Sequence, residues 1–322
     1  MGSKFAPFGL PQPRSLSPES SRLQENIKPA VSELSGELAS RFPLFKADSD
    51  LAEKTAQVLK DNGIHSIGEP LGKGGFGGVY EVQGPSEKPL ALKILEKAIP
   101  YSDREGEGLT LNLPRHRKLQ TAKAFILRDR LTGNVYYHKV GDRLPSNRGG
   151  LEIIATLSRK QKKETIRTLV KRGPLPISKV KGYGRNLVRG VGAMHKEGLV
   201  HGDLKPDNLL LPEREGDDRI KIADFGLATK NQNERRQGGT PPYMNPACAL
   251  VRPENDWYST GVTLLEMATG SPFSKPEDVK DPSLRDLLYN ARTGLITNPG
   301  RIQSEAEILN HPFFRESQRK AL

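Results

Sequence analysis

The apolar positions change their period twice along the chain, and the changes divide it. Residues 1–46 show little apolar periodicity and are rich in Pro and Ser, with Pro7, Pro11, Pro13 and Pro18 early on. Such a stretch buries too little apolar surface to offset chain entropy, so a disordered tail is expected, with only a short helix over 32–41 in prospect. In "DSDLAEKTAQVLKDNG", Leu51, Val58 and Leu59 share a helical face, Asp50 and Glu53 have capping-box spacing, and Gly63 can end the helix. This helix and its lead-in occupy 47–66. From about 67 to 93 the pattern is that of strands around a glycine turn, and "KAFILRDRLTGNVYYHKV" (123–140) reads as two strands joined at Thr132-Gly133-Asn134. Beyond about 160 the helical period dominates. "ISKVKGYGRNLVRGVGAMHKEG" puts Val180, Tyr183, Leu187, Val191 and Met194 on one side, and "TGVTLLEMATG" and "PSLRDLLYNA" follow as further helices. The class implied is α+β: a small, mainly β lobe over 67–141, then a larger helical lobe over 142–322, with a ligand cleft between them.

Composition narrows this picture without changing it. The 322 residues can bury one large core or two modest lobes, and no run of 18 apolar residues occurs, so no transmembrane segment is expected. The single cysteine, Cys248, fits a reducing compartment, and a cytoplasmic location is expected. A net charge of +12 points to an acidic partner. Basic residues gather in "RHRK" (115–118) and "RKQKKETIRTLVKR" (159–172). A solvated helix face is the plainer reading, and a surface for an acidic activating or docking partner the sharper one. Aromatic residues do not interleave these runs as a stacking platform for single strands needs, and no DNA partner is expected.

The chemistry begins at "LGKGGFGGVY" (71–80), where Gly72, Gly74 and Gly77 have GxGxxG spacing and Val79 follows. Glycines let backbone N–H groups approach phosphate oxygens without a Cβ in the way. A dinucleotide-binding fold has the same glycines, but here the pattern runs on into a strand rather than opening a helix. "KPLALKIL" then offers Lys93, fourteen residues after Val79. "HGDLKPDNLL" (201–210) brings Asp203, Lys205 and Asn208 together. Turn chemistry alone could explain an Asp and an Asn there, but a further Asp, Asp224 in "DFG", speaks against that plain reading.

The glycine loop, "LALK", "HGDLKPDN", "IADFGLA", "GTPPYMNPA" and "DWYSTGV" come in an order and spacing that resembles a eukaryotic-type Ser/Thr protein kinase, and "NPGRIQSEAEILNHPFF" looks like that family's last helix. The resemblance covers about 67–315 and implies a bilobal kinase fold that uses ATP and Mg²⁺ to phosphorylate protein serines and threonines. It implies that Lys93 holds the nucleotide's phosphates, oriented by a glutamate. Glu107 has the matching distance to His116, with Glu105 as runner-up, although Gly106, Gly108 and Pro114 make a poor helix there. It further implies Asp203 as catalytic base, Lys205 on the γ-phosphate, Asn208 and Asp224 on Mg²⁺, and Thr240 in the peptide-binding segment against Asp203 and Lys205. Leu71, Val79, Ala91 and Leu210 resemble the residues that sandwich adenine, and read almost as well as plain core. The hinge is expected near 137–141, with "LEIIATL" competing. The aminoglycoside and choline phosphotransferases also carry "HGD" with an Asn five residues past the Asp, so a small-molecule kinase is the alternative. A partner-dependent kinase or scaffold is a third reading.

Two departures from the family pattern carry expectations of their own. Gly202 stands where a regulated kinase has the arginine that clamps a phosphorylated loop, and "LATKNQNERRQGG" (227–239) has only Thr229 as a hydroxyl. Activity without loop phosphorylation is expected. Ala247 replaces a glutamate that pairs with the arginine matched here by Arg301, so Arg301 should be exposed or find another acid such as Glu254. Such departures resemble divergent kinases that bacterial pathogens deliver into host cells, which would place an effector of this type in host cytoplasm.

Overall fold

The computed structural model describes residues 18–74, 77–85, 89–102, 106–111, 116–144, 150–161, 164–212, 217–302 and 304–315. Three helices come first: α1 (Pro18–Arg41), α2 (Pro43–Lys46) and α3 (Ser49–Asp61). The expectation of disorder over 1–46 is therefore corrected from residue 18 onward, while 1–17 lie outside the described residues. Val31, Leu34, Leu38, Phe42 and Phe45 are buried at near-helical intervals, an apolar stripe diluted by the Ser and Glu around it. The N-cap of α3 is Asp48, whose side chain accepts from Leu51 N at 2.9 Å, rather than Asp50. Gly63, with φ +77°, ends the segment.

These helices lie on a six-stranded antiparallel sheet ordered β1-β2-β3-β6-β4-β5. The strands are β1 (Pro70–Gly74), β2 (Gly77–Gln83), β3 (Pro89–Pro100), β4 (Ala124–Asp129), β5 (Val135–Lys139) and β6 (Leu151–Arg159). Strand alternation sorts the two faces. Leu90, Leu92 and Ile94 of β3 join one core with the stripe of α1–α3. Leu95, Phe125, Leu127 and Ile153 form a second cluster. Arg41 ties the layers polarly, donating to Ile67 O at 2.8 Å and stacking its guanidinium 4.8 Å from the Tyr80 ring centroid.

The central position of β6 corrects the lobe boundary. It pairs with β3 through Leu90↔Arg159 to Pro100↔Glu152 and with β4 on its other side, so the small lobe runs to Arg159 instead of ending at 141. Residues 137–141 belong to the end of the edge strand β5 and the turn after it. The hinge is therefore not there: the chain leaves the sheet after Arg159, as the competing "LEIIATL" strand implied. In the basic run 159–172, Arg159 ends a central strand and residues 166–170 form α4 (Ile166–Val170).

The second lobe holds α5 (Ile177–Lys196), the two-stranded ladder β7 (Leu209–Leu210) and β8 (Lys221–Ile222), α6 (Pro253–Thr269), α7 (Pro282–Tyr289) and α8 (Glu305–Leu309). Val180, Tyr183, Leu187, Val191 and Met194 of α5 are all buried against α6 and its neighbours. Because α1 shares its core with the sheet, Leu38→Ala is expected to destabilise the chain by about 2–5 kcal/mol, and exposed Glu33→Ala by less than about 0.5 kcal/mol. Denaturant unfolding checks this; equal, small effects would mean that α1 does not pack as described.

Candidate active site

Strand geometry places the first cation. On β3, Ala91 and Lys93 project to the face opposite the one shared with α1–α3, and Lys93 pairs in register with Val79 of β2. The β1–β2 hairpin closes at Gly74↔Gly77. A Cβ on Gly72 would meet nothing within 4 Å, whereas one on Gly77 would lie 2.1 Å from Ile94 O. Gly72 thus leaves an open cradle beside the strand, and Gly77 is required by the approach of β3. Leu71, Val79 and Leu210 are half-buried, and Ala91 is buried.

Lys93 Nζ lies 2.6 Å from Glu107 Oε1 and 2.7 Å from Asp224 Oδ1. Glu105 lies outside the described residues. The carrier of Glu107 is a 3-10 turn, Gly106–Leu111, in place of an α-helix, as the glycines' poor propensity foreshadows. Gly106 has φ +62°, and its N–H donates to Ala228 O at 2.7 Å, joining the turn to the segment just past "DFG". A Cβ on Gly108 would stand 2.2 Å from Ser102 O, so this turn closes only around glycine. Burial would push the Lys93 ammonium down, but the Glu107 and Asp224 carboxylates outweigh it and raise its pKa. Burial likewise opposes charge on Asp224, and Lys93 more than offsets it, so that carboxyl titrates below its ordinary value. Asp224 adopts φ +63°, a left-handed conformation that Asp tolerates better than most residues.

The second cluster lies in the helical lobe. Thr240 Oγ1 donates to Asp203 Oδ1 at 2.7 Å, and Lys205 Nζ donates to Asp203 Oδ2 at 2.6 Å and to Thr240 Oγ1 at 2.7 Å. Asn208 Nδ2 donates to Asp203 O at 2.8 Å, which fixes the amide and leaves its oxygen as the end able to meet a cation. The donor set suits Mg²⁺: hard oxygens from Asp224 and Asn208, beside an open glycine cradle for phosphates that would share the ion.

Residues not singled out from the sequence hold this loop in place. Asp256, fully buried near the start of α6, accepts from His201 N at 2.8 Å, Gly202 N at 3.0 Å and the His195 ring at 3.0 Å. Its only sequence signal is an acid within "DWYSTGV". Gly202 has φ +79°, so glycine suits the backbone of the loop as well as removing a side chain. Tyr243 and Arg167 both bond to buried Glu266 of α6, Arg167 also reaches Tyr243 Oη at 2.6 Å, and Asp207 lies 3.0 Å from Arg167 Nε. Burial and Glu266 push the Tyr243 hydroxyl up in pKa. This cluster, with Ser259 Oγ donating to Tyr243 O at 2.7 Å, ties the Thr240–Asn245 segment to α6. Ala247 and Arg301 are both exposed, so no buried guanidinium is left without an acid there.

Residues 65–307 match the family model of the protein kinase domain. The chain is 30% identical to the serine/threonine-protein kinase GIN4 of Saccharomyces cerevisiae over 78% of its own length and 22% of that protein. It is 29% identical to the probable serine/threonine-protein kinase CCRP1 of Zea mays over 79% of this chain and 41% of that one. It is 28% identical to CBL-interacting protein kinase 15 of Oryza sativa subsp. japonica over 77% of this chain and 54% of that one. The chain thus spans about a fifth to about half of the length of these relatives. With the motifs in order, two charge clusters linked through the Ala223 N–H on Asn208 O and a family match over most of its residues, the chain belongs to the protein kinase domain family.

Proposed function

We propose that the chain is an ATP-dependent serine/threonine protein kinase. The observation that carries this reading is Thr240, whose hydroxyl is bonded to both Asp203 and Lys205 and so joins a peptide-binding segment to the base. A small-molecule kinase has no use for that contact. Gly72, Gly74 and Gly77 would line the phosphates, Leu71, Val79, Ala91 and Leu210 would flank the adenine, and Lys93, held by Glu107, would grip the α- and β-phosphates. Mg²⁺ on Asp224 and Asn208 would neutralise phosphate charge as it develops. The substrate hydroxyl oxygen would then attack the γ-phosphorus, its proton passing to Asp203 as the bond to the ADP oxygen breaks, with Lys205 neutralising the transferring group.

The loop's own backbone supports activity without phosphorylation. Asn233 N donates to Val251 O at 2.9 Å, Val251 N to Glu234 O at 2.7 Å, and Arg236 N to Ala249 O at 3.0 Å. Thr229 forms a bridge with Val200. These bonds hold the loop where an arginine–phosphate clamp would otherwise be needed.

Asp203→Asn is expected to lower transfer of labelled phosphate from Mg·ATP to protein by about 10²–10⁴-fold while leaving nucleotide-dependent thermal stabilisation in place. Transfer to an aminoglycoside in preference to protein would favour the alternative. Phosphatase treatment before the assay is expected to leave turnover within about twofold; abolished turnover would mean that the ladder does not suffice.

A further inference from the structure

The peptide-binding face is basic in a way that the catalytic chemistry does not use. Arg235 and Arg236 stand in the loop just before "GGT". Arg235 bridges to Leu250 through its backbone, and its side chain is exposed. Arg236 Nη2 donates to Asn245 O at 2.9 Å, which sets the guanidinium against the Thr240–Asn245 segment, while its buried Nε has no hydrogen-bond partner among the described residues. Neither arginine forms an ion pair among those residues. Both line a small cavity of about 80 Å³ with Gly202, Thr229 and Asn255, and Glu234 is the one acidic residue lining it. An unpaired guanidinium with a buried, unsatisfied N–H is a site that a carboxylate or phosphate would complete.

Of the acids nearby, Glu234 is exposed beside the two arginines, and the others are already paired. Glu266 is shared by Arg167 and Tyr243, and Asp207 pairs with Arg167 as well. A basic side chain of a substrate would meet two guanidinium groups against the one carboxylate of Glu234. We propose that this kinase takes acceptor serines or threonines flanked by acidic residues, and that Arg235 and Arg236 are the side chains that read them. The proposal rests on the protein-kinase reading and adds the substrate class to it.

Three peptides of one scaffold, with the acceptor serine flanked by Asp, Ala or Lys, would be assayed with the full chain and Mg·ATP. The expected order of kcat/KM is Asp over Ala over Lys, with about tenfold or more between the extremes. Arg235→Glu combined with Arg236→Glu should reverse the order, with nucleotide-dependent thermal stabilisation reporting that the variant is folded. If that variant does not fold, Arg235→Ala should narrow the Asp-over-Lys ratio. A wild-type preference for Lys, or none, would overturn the substrate class and leave the kinase reading standing. An unchanged order in the folded variant would overturn the assignment to these arginines. No transfer to any peptide or to the chain itself would overturn both readings.

Discussion

Lys93 sits between two carboxylates contributed by different parts of the chain, Glu107 at 2.6 Å and Asp224 at 2.7 Å, and the other features of the site are organised around that pair of contacts. A buried ammonium is costly without partners, and a buried carboxylate equally so. Each therefore holds the others in place: the β3 strand fixes Lys93, the lysine fixes Glu107 and Asp224, and Asp224 carries the small lobe's position into the helical lobe. The raised pKa of Lys93 and the lowered one of Asp224 are the same coupling seen as proton affinity.

A six-residue 3-10 turn supplies Glu107, and its position comes from outside itself. Gly106 N–H is tied to Ala228 O, and Gly108 fits under Ser102 O. The turn is thus braced by the segment that follows Asp224. The helices α1–α3 on the far face of the sheet bury what would otherwise be an open apolar surface. A braced turn and a loop held by its own ladder add backbone bonds to the ion pairs that assemble this site.

Much of this is legible in the sequence because the motifs of the protein kinase domain hold particular side chains at particular separations. Lys93, Asp203, Lys205, Asn208, Asp224 and Thr240 all sit in short motifs, and the structure brings them to two joined clusters. The strand pair 123–140 and the helix Ile177–Lys196 follow from clean periodicity. What escaped has physical causes. Helix α1 spreads its apolar residues thinly through a Ser- and Glu-rich stretch, and composition outvoted spacing. The centrality of β6 depends on pairing between residues some seventy apart, Leu90 with Arg159, which no local pattern records. Asp256 and the Arg167–Glu266–Tyr243 cluster are long-range polar contacts, invisible until α4, α5 and α6 meet.

Glu107 reaches Lys93 because a glycine-closed turn lets it. The measurement that probes this is the rate of phosphate transfer from Mg·ATP by Gly108→Ala beside Gly36→Ala, a site where an added Cβ meets nothing within 4 Å. Gly108→Ala is expected to lose transfer to the extent that Glu107→Gln does, while Gly36→Ala keeps it. Wild-type turnover in Gly108→Ala would show that the turn does not set the Lys93–Glu107 contact.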